Sequence, residues 1–364
     1  MTQSSSDPKV MLLGTGDEGG ELEAAFRRLG ATVAAVERCA GAEDFGTLFG
    51  THVPSHVVAT SIEISADVLI AAAELDSVEV LPSPRATRLS VDREGLRRLA
   101  ADELGLPTVP FWFAASVEEL TAVAEHAGFP LAVTPAAGAQ TDGRSVVVRP
   151  DDVEPAWQAA IAQLPTGTPQ RVMAETIVEF DDEVTLLTVR TSGAAGPAVH
   201  FCEPIGHRVR PDGALEAWQP HAMSLAALDA ARSIAARIVN SLGGRGVFAV
   251  DLLLKGDEVY FSTVHAHLSD VGLVTLRSQR LSQFDLQARA VLGLPLDTIA
   301  ISPAAAELVA GDADPAGLAE ALTTPETDVR LTSGATAALA TAPDVVRARD
   351  RAHRVASALS ITSS

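Results

Sequence analysis

Gly246-Val-Phe-Ala-Val-Asp-Leu-Leu-Leu-Lys-Gly-Asp-Glu-Val-Tyr-Phe-Ser-Thr-Val264 reads as two strands joined by a turn. β-Branched and aromatic residues fill both runs, and Lys255-Gly-Asp257 supplies the turn chemistry of a tight hairpin. The stretch predicts two antiparallel strands, Gly246–Leu254 and Glu258–Val264. Just upstream, Leu225 to Leu242 has helical spacing and stops at Gly243-Gly244. A long helix feeding a buried hairpin is a mixed α+β signal, and the N-terminal part of the chain reads differently.

Residues 1–8 are polar and read as a tail. Val10-Met-Leu-Leu13 is then a short buried strand, followed by a glycine-rich turn through Gly20, a helix from Glu21 to Leu29 and a second strand, Ala31 to Val36. This β-α-β unit continues through Val57-Val58, a helix near Ala66 to Leu75, and Val78 to Leu81. It predicts an open parallel sheet of Rossmann-like type. A helix from Asp92 to Leu104 follows, with Asp92 as its N-cap. Beyond Phe111, strand-like pieces alternate with helices at Ser116–His126 and Asp151–Ala162. Near the end stand an alternating segment, Ala335–Ala340, and a helix from Pro343 to Ala358.

At 364 residues the chain is long enough for about two to three domains. Its net charge of -20 disfavours nucleic acid and anionic membranes as partners. No apolar run is long enough to span a bilayer, and the N-terminus lacks the pattern of a signal peptide. The two cysteines, Cys39 and Cys202, sit in separate elements, so a reduced, cytoplasmic protein is expected. Only Lys9 and Lys255 are lysines; every other strong base is an arginine.

Many ordered segments resemble formate-dependent phosphoribosylglycinamide formyltransferases. Among them are Met11-Leu-Leu-Gly-Thr-Gly16, Asp92-Arg-Glu-Gly-Leu-Arg-Arg-Leu-Ala100, Phe180-Asp-Asp-Glu-Val-Thr-Leu-Leu-Thr188, His200-Phe-Cys-Glu-Pro-Ile-Gly-His-Arg208 and Ala217-Trp-Gln-Pro220. The resemblance implies a Rossmann-like pre-ATP-grasp domain over 9–90, an ATP-grasp domain over 91–295 and a small β-rich C-terminal domain over 296–364. It also implies a homodimer, ATP and magnesium as cofactors, and activation of formate as formyl phosphate for attack by glycinamide ribonucleotide.

Carried over residue by residue, the resemblance gives Arg93, Glu175, Val178 and Glu183 to the nucleotide, and Asp17, Asp270 and Arg208 to the substrate side. The phosphate end departs from the pattern. Val133-Thr134-Pro135 stands where the family has Val-Lys-Pro, and Ala136 to Ser145 replaces a loop containing lysine. Of two magnesium carboxylates, one aligns with Asp251 and the other with Thr263. The substrate glutamate is shifted to Glu63, and the C-terminal Lys…Arg-Arg aligns near Glu326 and Ser333-Gly334, with Arg330 nearby. His265 and His267 are new. Strand alternation places them on one face, where with Asp251 they are candidate zinc ligands; the plainer alternative is a pair of polar residues at a strand end. These departures predict weak, little magnesium-dependent ATP binding by a catalytically degenerate, ligand-binding or regulatory member. The alternative is an ATP-dependent enzyme of altered specificity that uses Arg144 and Asp251.

Overall fold

The computed structural model describes residues 7–16, 19–61, 64–75, 77–138, 144–164, 167–193, 196–313, 315–332, 335–359 and 361–362. The first layer is β1 (Lys9–Leu13), α1 (Gly19–Arg28), β2 (Thr32–Val36), α2 (Ala42–His52), β3 (His56–Ala59), α3 (Ala66–Ala73) and β4 (Glu79–Leu81). The strands form a parallel sheet of order β2-β1-β3-β4, as the β-α-β reading requires. Its apolar faces are filled by Leu12 and Phe26 on one side and Met11, Phe45 and Leu69 on the other.

Two helices, α4 (Pro84–Val91) and α5 (Arg93–Arg98), lead into the centre of the chain. Asp92 caps α5, its Oδ1 accepting from the Gly95 amide at 2.9 Å, a cap that contributes about 1 kcal/mol. The sequence reading ran this helix on to Leu104; the segment Leu99–Glu103 continues it with a wider, π-type turn. A small antiparallel sheet of order β5-β8-β6-β7 follows. It is built from β5 (Phe111–Ala114), β6 (Leu131–Pro135), β7 (Ser145–Val147) and β8 (Val172–Thr176), and is packed by α6 (Val117–Ala127) and α7 (Val153–Ala162).

The large sheet contains β9 (Asp182–Gly193), β10 (Gly196–Phe201), β11 (Ile205–Val209) and β12 (Leu215–Gln219). After α8 (Leu225–Leu242) come the hairpin strands β13 (Gly246–Lys255) and β14 (Glu258–His265). The hairpin is antiparallel, and Gly256 takes the left-handed φ of 59° that its turn needs. β13 lies between β14 and β9, and its residues alternate strictly. Phe248, Val250 and Leu252 pack with Ala231, Ile234 and Ile238 of α8. Val247 and Ala249 belong to the core that holds Phe284 and Val291.

Beyond the short α9 (Thr275–Ser278) and α10 (Gln283–Val291), the chain adds β15 (Ala304–Ala310), β16 (Asp312–Ala313), α11 (Pro315–Ala321), β17 (Thr327–Thr332), β18 (Ala335–Thr341), α12 (Val345–Ala358) and β19 (Ile361–Thr362). The expected β-rich C-terminal segment is present, and its strands extend the central sheet. β15 pairs with β12, Glu307 standing opposite Glu216, and β18 and β17 continue the order. Among the described residues no helix is long and apolar enough to cross a membrane.

Phe248 is 2% exposed on the strand that carries Asp251. Phe248→Ala is expected to destabilise the protein by about 3–5 kcal/mol, the usual result of emptying an aromatic core site. Urea unfolding checks this, and a loss below about 1 kcal/mol would mean that the hairpin is not anchored through α8.

Candidate functional site: a cleft between two sheets and a second cavity

A cavity of about 400 Å³ opens between the small antiparallel sheet and the hairpin. One wall is α5 and the end of β6. The Arg93 amide donates to the Ala136 carbonyl at 3.0 Å, and Nη1 of Arg93 donates to the Pro135 carbonyl at 2.8 Å. These bonds hold the Arg93 guanidinium beside Thr134. The opposite wall is β13 and β14, which contribute Asp251, Thr263 and His265. Glu175 and Val178 line the cavity from β8 and the chain after it, and Glu183 from β9. Six of the sequence-derived site residues, Arg93, Glu175, Val178, Glu183, Asp251 and His265, therefore meet in one place.

Arg97 also lines this cavity, and sequence reasoning missed it. It lies four residues after Arg93, the spacing that puts two side chains on one helix face. Its Nη2 donates to Glu175 Oε1 at 2.6 Å and its Nη1 to the Phe261 carbonyl at 3.2 Å. The two side chains are 8% and 18% exposed. Burial pushes both the Arg97 and Arg93 guanidinium groups below their usual range, with Glu175 acting in opposition; arginine remains charged all the same. Arg97 thereby ties together three walls of the cleft, α5, β8 and β14.

The opposite end of the cleft is poor in charge. Asp251 stands opposite Thr263 across the β13–β14 ladder and opposite Thr185 across β9. Thr185 Oγ1 donates to Asp251 Oδ1 at 2.6 Å, and Asp251 Oδ2 is 3.4 Å from His265 Nε2. Magnesium prefers near-octahedral oxygen coordination anchored on carboxylates. Here the positions that face each other offer one carboxylate, already hydrogen-bonded, and one neutral hydroxyl, with an imidazole alongside. This donor set does not fit magnesium. The Thr134 hydroxyl, 9% exposed as a residue, and His265 Nδ1 are buried without a hydrogen-bond partner. Arg144 is exposed at the edge of the cavity. The loop residues 139–143, Asp142 among them, lie outside the described residues.

His267 does not join His265 and Asp251 in a metal site, a correction to the zinc expectation. β14 ends at His265, so strand alternation does not carry through to residue 267. The two rings are 5.3 Å apart and tilted by 49°, but His267 lines a second cavity. Its Nδ1 is 2.8 Å from the Leu268 carbonyl. Burial is the main cause that pushes its pKa below the ordinary histidine value, with the charge of His265 adding to it. Among the described residues no group of three His, Cys, Asp or Glu side chains is arranged to hold a metal ion.

The second cavity, of about 1250 Å³, lies between the glycine-rich turn after β1, the segment after β14 and the β17–β18 edge. Gly14 has φ of 75°, and a Cβ there would come within 2.9 Å of Ser61 Cβ, so the turn and the chain after β3 approach closely only because residue 14 is glycine. Asp270 and Arg330 line this cavity. Arg330 bonds Glu21 at 2.7 Å and Asp328 at 2.6 Å, and Asp328 is shared with Arg277. Asp17 and Glu63 lie outside the described residues. Arg208 lines neither cavity. It bonds Glu216 at 2.7 Å, a buried carboxylate also held by Arg349. Glu326 pairs with Arg351 at 2.7 Å, away from both cavities.

Comparison with known proteins places this geometry in context. A family model described as an ATP-grasp domain matches residues 99–284. The chain is 43% identical to a formate-dependent phosphoribosylglycinamide formyltransferase of Corynebacterium efficiens, over 98% of this chain and 97% of that protein. It is equally 43% identical to the protein of that name from Rhodococcus jostii, over 96% of this chain and 94% of the relative. Among solved structures, glycinamide-RNase-transformylase T from Mycobacterium tuberculosis superimposes with a TM-score of 0.85 at 46% identity, covering 96% of this chain and 99% of that one. N5-carboxyaminoimidazole ribonucleotide synthetase from Thermus thermophilus shares the fold, with a TM-score of 0.80 at 23% identity over 97% and 99% of the two chains.

Removing one partner of the Arg97–Glu175 pair leaves the other buried and uncompensated. Arg97→Met is expected to cost about 3 kcal/mol or more, and the double variant with Glu175→Gln substantially less than the sum of the single losses. A double-mutant cycle in urea measures the coupling; additive losses would mean that the pair does not act as a unit.

Proposed function

The chain belongs to the formate-dependent phosphoribosylglycinamide formyltransferase family, and from that premise we propose that it keeps the family's nucleotide cleft as a ligand-binding site while having lost ATP-driven formyl transfer. The observation that carries this reading is Asp251 facing Thr263, where the family pattern has two carboxylates. Phosphoryl transfer to formate places negative charge on the γ-phosphate, on formate and on the ribonucleotide phosphate within one region. Two like charges about 4 Å apart at an effective dielectric near 20 repel by about 4 kcal/mol. Metal and lysine normally offset that repulsion. Here residue 134 is a buried threonine, and both lysines, Lys9 and Lys255, lie outside the residues lining the cleft. In the second cavity Arg330 is held by Glu21 and by Asp328, which it shares with Arg277.

In this reading, Glu175 and Val178 frame the base, Glu183 faces the ribose, and Arg93 lies beside the inner end. Asp270 belongs to the second cavity. The protein then works as a ligand-binding or regulatory member of the family, as a homodimer in the cytoplasm. A second reading, an ATP-dependent ligase of altered specificity, draws support from the Asp251–His265 pair and the exposed Arg144 at the edge of the cleft.

Purified protein given ATP, formate and glycinamide ribonucleotide is expected to release no ADP in a formate-dependent manner. Formate-dependent ADP release, together with rescue of a strain lacking both glycinamide-ribonucleotide formylation routes, would overturn the reading. Conversely, Thr134→Lys combined with Thr263→Glu is expected to strengthen magnesium–ATP binding by at least ~10-fold, because it returns a cation and a metal ligand to the cleft. Calorimetric titration measures the change, and no gain would mean that these two positions do not set the affinity.

A further inference from the structure

We propose that Glu94 and Arg171 form a latch that holds the small antiparallel sheet and its two helices down over the cleft, with Arg97 as the pivot, so that the cleft opens and closes with this one pair. The inference goes beyond the reading above and stands whether or not phosphoryl transfer is retained.

The small lobe, β5 to β8 with α6 and α7, has its own interior. Among the described residues its buried apolar cluster is drawn wholly from residues 114–174. α5 belongs to the other body, where Leu96 packs with Ile234 and Ile238 of α8. Its remaining face, Arg93, Glu94, Arg97 and Arg98, has the spacing of neighbours on one side of a helix, and all four meet the lobe. Arg93 donates to the Pro135 carbonyl at the end of β6, and Glu94 accepts from Arg171 just before β8. Arg97 donates to Glu175 near the end of β8, and Arg98 lies over the Phe113 ring of β5 at 5.3 Å. The lobe thus meets α5 through charges rather than a shared apolar core, the kind of interface across which two bodies move.

The two ion pairs grip β8 at its two ends, and they are not equivalent. Arg171 Nε and Nη2 donate to Glu94 Oε2 and Oε1 at 2.7 and 3.0 Å. The Arg171 and Glu94 side chains are 34% and 21% exposed, against 8% and 18% for Arg97 and Glu175. The chain enters the lobe at Phe111, opposite Glu175 in the ladder, and leaves it after Thr176. Arg97 also bonds the Phe261 carbonyl of the hairpin. The buried pair therefore sits at the covalent connections, where a rigid lobe turns. The half-exposed pair sits at the far end, where the Arg93 amide bonds the Ala136 carbonyl and the Gly138 amide bonds the Val91 carbonyl. Thr134 and Pro135 belong to that end of the cleft wall, Pro135 standing opposite Val172. Burial works against the charge of Glu94, but hydrogen bonds from Arg98 and Arg171 outweigh it and hold the carboxyl below its usual range. The latch is therefore an ion pair at neutral pH, and one within reach of salt.

The test is a spin-label distance measurement on the full-length protein. Labels go on cysteines placed at two exposed sites, Gln158→Cys on α7 and Ser233→Cys on α8, while Cys39 and Cys202 are buried. At low salt the parent protein is expected to give a single distance. Arg171→Gln leaves Glu94 paired with Arg98, so no charge is stranded, and it is expected to add a second distance population. Raising salt from ~0.1 to ~1 M shortens the screening length from ~10 to ~3 Å. It is expected to add the same population to the parent protein and to change the Arg171→Gln protein much less. Arg149→Gln removes a pair with Asp152 inside the same lobe and is expected to keep the single distance. An unchanged single distance in Arg171→Gln, no response of the parent protein to salt, or the second population in Arg149→Gln would each overturn the inference. The salt titration of the parent protein decides the question should Arg171→Gln not fold.

Discussion

The register of β13 is the constraint on which the site depends. β13 runs between β9 and β14, and its alternation commits Phe248, Val250 and Leu252 to the core beneath α8. Asp251 must then project from the other face, where its neighbours are Thr185 on one side and Thr263 on the other. A one-residue slip would turn Asp251 into the core beneath α8 and send that apolar set to the opposite face, so the core fixes the carboxylate in position without reference to any ligand. Both residues that flank the carboxylate are threonines. The irregularity between Asp251 and Leu252 lies at the same point, as bulges beside functional sites commonly do.

Arginine usage follows the same logic. In a chain with so few lysines, many of the arginines serve the fold: Arg97 binds Glu175, Arg330 binds Glu21 and Asp328, Arg349 binds Glu216, and Arg245 binds Glu79. Planar guanidinium groups suit such bidentate, partly buried pairings. Of these four, Arg97 lines the cleft and Arg330 the second cavity. The scaffold is preserved, at 46% identity to a solved relative, and Arg93, Arg97 and Arg144 are the arginines among the described residues that line the cleft.

Much of this was legible in the sequence. The hairpin, the β-α-β layer and the Asp92 cap came from period and turn chemistry, and all are present; the resemblance marked residues 251 and 263, and the structure adds that they stand opposite each other. β15 was not legible, because Ala304, Ala305 and Ala306 give no contrast between the faces of a strand. Arg97 was hidden because an arginine in a helical Arg-Arg pair reads as a solvated charge until its tertiary partner is known. His267 was placed on the wrong face because strand alternation was extended past His265, where the strand stops. Arg208 shows the converse limit: a matching motif fixed its position in the chain but not its partner, which is Glu216.

The central claim is that no phosphoryl group leaves ATP for formate in this cleft. Positional isotope exchange tests it at that step alone, without the third substrate. ATP labelled with ¹⁸O at the β,γ-bridge is incubated with the protein, magnesium and formate, and the label is followed by ³¹P NMR. Reversible cleavage of the γ-phosphoryl group would let the β-phosphate rotate and scramble the label into non-bridging positions. The account predicts no scrambling above a formate-free control. Formate-dependent scrambling would contradict it, and would mean that Asp251, Arg93 and Arg144 support the chemistry despite the threonines at 134 and 263.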